Sequence, residues 1–148
     1  MAAFQKFEKF TSDLLEGVHG DLRSGASSLK FALTLTTPSA SLDAVLADLP
    51  AEIVYTNVST ISGSGAAGRV LQNVVVTDAA GVATLDMDSM TITAITGAIP
   101  DFQFLSLYND TPTNKNLIGF IDYGSVLSLA LAESVVVDFN VLGLFTVT

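Results

Sequence analysis

The stretch from Asp101 to Gly124 constrains the fold of this chain more than any other. It consists of two apolar runs, Phe102–Tyr108 and Leu117–Tyr123, on either side of a polar cluster at 109–116 that is rich in Asn, Asp, Thr and Pro. Two runs of β-forming residues around such a cluster are typical of a β-hairpin. The sequence therefore predicts a central antiparallel hairpin around which the rest of the chain is organised.

Short β-type runs separated by turn residues recur along most of the remaining chain. In the clearest of them, residues 28–37, apolar and polar residues alternate as in a strand with one buried face. Further runs lie at 52–61, 70–77, 82–95, 126–132, 134–141 and 144–148. About seven to nine short strands at this spacing predict a mainly β fold, an antiparallel β-sandwich of jelly-roll-like type. A length of 148 residues predicts a single domain spanning 1–148.

The N-terminal residues 1–20 are predicted to form an amphipathic helix or arm, with the helix itself at 3–18. Its apolar residues recur at steps of three and four and form one stripe. They are Phe4, Phe7, Phe10, Leu14 and Val18. The pattern leaves two placements open, because such a helix could pack on its own sheet or lie as an arm on a neighbouring subunit.

The sequence contains little that indicates catalysis, a metal site or a cofactor. The chain has no Cys, which excludes disulfides, Cys–zinc sites and thiol catalysis. Its one histidine, His19, follows the predicted helix, where its charged form would interact favourably with the helix C-terminus. The glycines of 62–68 match G-x-G-x-x-G, but that loop leads into a strand and not into a helix. Asp86 and Asp88 could share one face of a strand, but the other oxygen ligands of a calcium loop are missing. We predict a non-enzymatic protein without cofactor or metal.

The distribution of charge excludes direct binding of nucleic acid. The net charge is −9, and beyond residue 30 only Arg69 and Lys115 are basic. Nucleic acid requires a basic footprint, which this chain lacks. We also expect no membrane partner, because no uncharged apolar run approaches the roughly 18–20 residues that span a bilayer. The mixture of Phe, Lys and Glu at the N-terminus does not resemble a secretion signal, so we expect folding in a cytoplasm.

The scarcity of charged residues predicts a homo-oligomer. Charged residues make up 14% of the chain, against about 25% in an ordinary globular domain. Such a surface favours burial of some area against other subunits. The alternative is a β surface rich in Thr, Ser and Asn, which is polar without being charged.

Two segments carry a resemblance to known proteins. The first, Phe7–Thr37, has an aromatic helix with paired leucines, then Gly-Val-His at 17–19, then Leu-Lys-Phe-Ala-Leu-Thr at 29–34. The second comprises Leu107–Thr111, Leu117–Ser125 and Val137–Phe139. Together they resemble a family of small phage and prophage virion proteins that are typically encoded beside the major capsid protein.

The resemblance implies a head decoration, or cement, protein of β-sandwich or jelly-roll type. Such a protein would be made in the host cytoplasm, sit on the outer capsid surface as a dimer or trimer, and bridge subunits of the major capsid protein. An acidic chain suits the outside of the shell, because packaged DNA would repel it inside. The residues expected at capsid or subunit contacts are Phe4, Phe7, Phe10, Leu14, Tyr108, Asn109, Asp110, Thr111 and Asn116.

Two other functions remain to be weighed against this expectation. A tail, fibre or head–tail adaptor component would share the β class and the lack of catalysis. A capsid-borne glycosidase would need two carboxylates at an acid–base separation, and the sequence places no such pair and contains no Trp for a sugar platform. The first is therefore the alternative that we retain.

Overall fold

The computed structural model describes residues 4–23, 29–49, 58–60, 70–71, 73–139 and 145–147. These residues form ten strands, one α-helix, α1 (Glu8–Leu15), and a short 3₁₀ helix at Leu46–Asp48. The strands are β1 (Phe4–Lys6), β2 (Leu29–Thr34), β3 (Val58–Thr60), β4 (Val75–Ala79), β5 (Val82–Asp86), β6 (Met90–Ala94), β7 (Ile99–Asn109), β8 (Leu117–Leu129), β9 (Ser134–Val137) and β10 (Phe145–Val147). All paired strands are antiparallel. The prediction of a mainly β, antiparallel fold with an N-terminal helix is confirmed.

The largest sheet has the strand order β1-β8-β7-β2. Its centre is the β7–β8 hairpin, in which Leu105 pairs with Ile121 and Leu107 with Gly119. The hairpin predicted at 101–124 is therefore confirmed, although both strands are longer than the sequence pattern indicated. The pairing shifts register between Leu107 and Tyr108, which marks a β-bulge close to the turn. The run predicted as a separate strand at 126–132 belongs largely to β8.

At β2, both faces of the large sheet are buried. On one face, Phe31 and Leu33 of β2 join the main apolar core. On the other face, Ala32 joins a second cluster, which is covered by Leu49 and Leu46. The prediction of one buried face for this strand was therefore wrong, because the segment that follows it folds back over the polar side.

Two three-stranded sheets, β10-β5-β4 and β3-β6-β9, complete the fold. Leu85 of β5, Ile92 of β6 and Val137 of β9 belong to the same main core as the large sheet. Sheets that share one apolar core in this way form a β-sandwich-like arrangement. The jelly-roll connectivity stays a prediction. The glycine-rich loop at 62–68 lies outside the described residues.

The N-terminal prediction needs a correction. The helix begins at Glu8 and not at residue 3, because Phe4–Lys6 pairs with β8 as an edge strand. Backbone hydrogen bonds to β8 replace those that an extra helical turn would supply, and Phe7 stays extended at φ −69° and ψ 141°. Phe10 enters the main core and Phe7 the second cluster. Of the two placements left open, the structure shows the helix packed on its own sheet.

Glycine at position 119 permits the close approach of β1 to β8. A Cβ atom there would lie 2.5 Å from the Gln5 carbonyl oxygen and closer still to the Phe4 ring. Real Cβ atoms do not come that near to a backbone oxygen, so any larger residue would push β1 away. The close packing of β1 against β8 therefore explains why a glycine stands in the apolar run of the hairpin.

Candidate interaction surface

The polar turn predicted as a contact site is occupied by bonds within the chain. The Asn109 N–H donates to the Asn116 carbonyl oxygen over 2.9 Å. The Asn109 Nδ2 donates to the His19 carbonyl oxygen over 2.9 Å, and its Oδ1 accepts from the Thr111 N–H over 3.0 Å. Asn109 therefore joins the hairpin turn to the chain that follows α1.

A buried carboxylate makes a second link between the helix and the hairpin. Asn116 Nδ2 donates to Asp13 Oδ2 over 2.8 Å, and the Asp13 side chain is only 1% exposed. Lys9, one helical turn earlier, forms an ion pair with the same carboxylate. A buried charge needs such partners, because its desolvation would otherwise cost several kcal/mol. We call Lys9, Asp13, His19, Asn109 and Asn116 the helix–hairpin clamp.

His19 lies inside this clamp and not at an exposed helix end. Its side chain is buried, and its ring centroid is 5.1 Å from that of Phe10 in an edge-on arrangement. Burial lowers the pKa of His19 below its ordinary value, although the charge of Asp13 opposes that shift. The interior therefore favours the neutral imidazole over the charged form that could interact with the helix C-terminus.

Asp110, the next residue of the turn, forms two ion pairs. Its Oδ2 binds Lys30 of β2, and its Oδ1 lies 3.3 Å from the Lys115 ammonium. Burial opposes ionisation of this carboxyl, but the two ammonium groups outweigh it and hold the pKa of Asp110 below its ordinary value. The turn is thus tied to β2 as well as to the helix.

The burial of these residues corrects several predicted contacts. Phe7, Phe10, Tyr108, Asn109 and Asn116 lie in the interior of the chain. Side chains enclosed in their own core are not available to a partner, so their assignment as contact residues is wrong for this fold. Phe4, Leu14 and Asp110 are half-buried and Thr111 is exposed. For these four, a contact role stays a prediction.

Sequence reasoning missed two exposed leucines. Leu15, at the end of α1, is 88% exposed, and Leu42 is 81% exposed. Leu15 directly follows Leu14 and so lies about 100° around the helix from the apolar stripe. This position off the stripe could have indicated from the sequence that Leu15 is exposed. Because both side chains project into solvent, they are better candidates for partner contact than the buried phenylalanines.

An open groove of about 480 Å³ lies between the end of α1 and the β4–β5 hairpin. Its lining is mainly apolar and includes Phe10, Leu22, Val76 and Leu85. At its rim Arg23 Nε donates to both oxygens of Asp21, over 2.9 and 3.0 Å, and these hydrogen bonds lower the pKa of Asp21 to about 2. The charged groups at the rim thus satisfy each other, and the described residues of the lining offer no convergent set of catalytic groups.

The two aspartates considered as a metal site use their oxygens locally. Asp86 Oδ1 accepts from the Met87 N–H over 2.8 Å, and Asp88 Oδ2 accepts from Asn73 Nδ2 over 2.6 Å. Within the described ranges, no three His, Asp or Glu side chains are grouped to hold a metal ion. In the same part of the chain, no helix has the length and apolar character needed to cross a bilayer.

Comparisons of the chain with family models, with curated proteins and with solved structures each gave no match.

Proposed function

We propose that this chain is a phage capsid decoration protein that binds the outer surface of the head and stabilises contacts between major capsid subunits. The observation that carries the proposal is the arrangement of the two segments that resemble virion proteins. They lie about 70 residues apart in the sequence, yet Leu29–Phe31 of the first pairs with Leu107–Asn109 of the second in the β2–β7 ladder. Helix α1 of the first is clamped to the β7–β8 turn. The resembling residues thus form one folded unit.

The surface chemistry supports a binding role over a catalytic one. The described residues offer an open apolar groove and exposed leucines, and four of their six buried polar residues belong to the helix–hairpin clamp. A net charge of −9 is tolerated outside a shell, whereas packaged DNA would repel it inside. We therefore assign the outer capsid surface as the location and the major capsid protein as the partner.

A decoration protein is bound at many equivalent sites over the shell, so each contact can be of modest affinity and still stabilise the capsid. A dimer or trimer that binds two neighbouring capsid subunits makes its second contact intramolecularly, which raises the overall affinity without new interactions. Leu15 and Leu42 are the apolar side chains that we assign to the capsid contact. Full burial of one leucine contributes about 1.5–3 kcal/mol, so each should change the capsid affinity by about tenfold or more.

The copy number per virion tests the role. Quantitative mass spectrometry of purified particles, with the major capsid protein as the internal reference, should give a simple lattice fraction of the capsid copies, in the hundreds. A count of about a dozen or fewer would assign the protein to the portal or tail, as expected for a tail, fibre or head–tail adaptor component. Absence from particles would overturn the proposal altogether.

The contact residues are tested on capsids that lack the protein. Leu15→Glu and Leu42→Glu should each weaken binding to such capsids about tenfold or more, because an exposed leucine is replaced by a charge that cannot be desolvated there. Ser41→Glu serves as the matched control, since Ser41 is exposed beside Leu42 but is not apolar. Circular dichroism checks that the variants remain folded. Binding of both leucine variants at the unmodified affinity would refute this assignment while leaving the copy-number test intact.

A further inference from the structure

Within the described part of the chain, the outer edge of β4 is an open template for another β-strand. β4 is the terminal strand of the sheet β10-β5-β4 and pairs with β5 on one side. Among the described residues, no strand lies along its other side. All five of its residues, Val75–Ala79, are exposed, including the two valines. An edge of this kind presents unpaired N–H and C=O groups, and an extended chain is the occupant that can pair with them.

This edge carries only some of the devices that usually prevent pairing. Natural edge strands are protected by short length, charged side chains, Pro or a bulge, and β4 is short and has one charged residue, Asp78. The sequence Val-Val-Thr-Asp-Ala contains neither Lys nor Pro, and its register with β5 runs without a shift from Val75–Asp86 to Ala79–Val82. The turn that follows is also tight, because Ala80 and Gly81 both have positive φ, at 55° and 80°. The edge is therefore short but regular and accessible.

We propose that β4 pairs with β4 of a second copy of this chain, antiparallel and about a two-fold axis at Thr77. The two three-stranded sheets would then join into one continuous sheet across the dimer.

In this register one face of β4 matches itself across the axis. With Thr77 opposite itself, Val75 lies opposite Ala79 of the second copy on one face, and this pair occurs twice about the axis. On the other face Val76 lies opposite Asp78, the one charged residue of the strand. Like charges are therefore not directly opposed, although the whole chain is acidic. The two apolar Val75–Ala79 pairs and the separation of the two Asp78 carboxylates are the reasons for choosing a second copy over a different protein as the occupant, and the symmetry is the commonest among homo-oligomers.

The dimer should be weak and reversible. A five-residue ladder buries less than the roughly 1,000 Å² expected of a stable interface, so we expect dissociation in the micromolar range or above. The inference depends on β4 alone and not on a role in capsids, so either proposal can fail without the other.

Cysteine cross-linking tests the axis directly, because the natural chain has no Cys. Thr77→Cys should form a disulfide-linked dimer under mild oxidation, since side chains directly opposite in an antiparallel pair come within disulfide range. Ser134→Cys is the matched control, because Ser134 is also exposed on the edge strand of a three-stranded sheet. Equal cross-linking of the two variants, or none at position 77, would overturn the proposal.

A charge-swap experiment tests the same register without a covalent bond. By sedimentation velocity, the unmodified chain should shift from monomer to dimer with rising concentration. Thr77→Lys and Thr77→Glu should each raise the dimer dissociation constant about tenfold or more, because like charges then face each other at the axis. An equimolar mixture of the two variants should restore dimerisation. A trimer, a monomer at every concentration, or no rescue by mixing would each refute the proposal.

Discussion

Replacing Asn116 with alanine is expected to loosen the helix–hairpin clamp without disturbing the hairpin itself. Asn116 Nδ2 donates to Asp13 Oδ2 over 2.8 Å, and this bond joins residues that are 103 positions apart. After the change, Asp13 keeps Lys9 as a partner but loses its donor from the hairpin. Because Asp13 is almost fully buried, water cannot take the place of the lost amide without opening the packing of α1.

The size of the effect follows from this geometry. A hydrogen bond to a charged group contributes about 1.5–3 kcal/mol. Lys9 is 46% exposed, so it shields the carboxylate only in part after the amide is removed. We expect the free energy of unfolding to fall by about 2 kcal/mol. In a domain of this size each kcal/mol shifts Tm by roughly 2–4 °C, so Tm should fall by roughly 4–8 °C.

Urea denaturation followed by circular dichroism measures this loss. Asn114→Ala is the matched control, because Asn114 lies in the same turn but is exposed. A double-mutant cycle with Asp13→Ala should give a coupling energy of about 1–2 kcal/mol, since the two side chains interact directly. If Asn116→Ala costs no more than Asn114→Ala, or if the cycle is additive, the clamp does not contribute to stability as we argue.

Three further predictions concern the core and its titratable groups. Gly119→Ala should lower the free energy of unfolding by about 1–3 kcal/mol, because the alanine Cβ would lie 2.5 Å from the Gln5 oxygen and displace β1. Urea denaturation measures this loss, with Ser125→Ala at an exposed position as the control. Burial lowers the pKa of His19 below 6.5, so the unfolded chain takes up its proton first as the pH falls. The free energy of unfolding should therefore fall as the pH is lowered from 7.5 to 5.5, and His19→Gln should make that fall smaller. An equal fall in the variant would contradict this prediction. Burial raises the pKa of Tyr123 to about 12, so the unfolded chain ionises first and stability should fall as the pH rises from about 10 to 12. Tyr123→Phe should reduce that loss and leave stability at pH 7 unchanged, because the Tyr123 hydroxyl has no hydrogen-bond partner in the described structure.

Local pattern was sufficient to predict the hairpin and most strands. The apolar runs around the turn at 109–116 became β7 and β8, and the run at 82–95 contains β5 and β6. The period of two along a strand and the turn residues between strands depend on neighbours in the sequence, so they can be read without the fold. The amphipathic stripe likewise identified α1, whose buried Phe10 lies on it.

The start of the helix was decided by tertiary structure. Phe4 continues the helical stripe in the sequence, yet it lies in β1 because β8 offers an unpaired edge and Gly119 leaves room beside it. A helical period cannot show that a strand more than 110 residues away will compete for the same backbone groups. Helix ends are sensitive to such competition, because their terminal N–H groups have no partners within the helix.

The residues of the helix–hairpin clamp separate most clearly what the sequence predicts from what the tertiary structure decides. The sequence placed Asn109 and Asn116 in the turn, and they flank it, as the last residue of β7 and the residue before β8. Their buried side chains donate to the His19 carbonyl and the Asp13 carboxylate, which the sequence did not indicate. Sequence by itself determined the β class, the central hairpin and the acidic, weakly charged surface, because these follow from composition and local period. Only the tertiary structure decided which polar residues are buried and which leucines are exposed, because burial depends on contacts between segments that are distant along the chain.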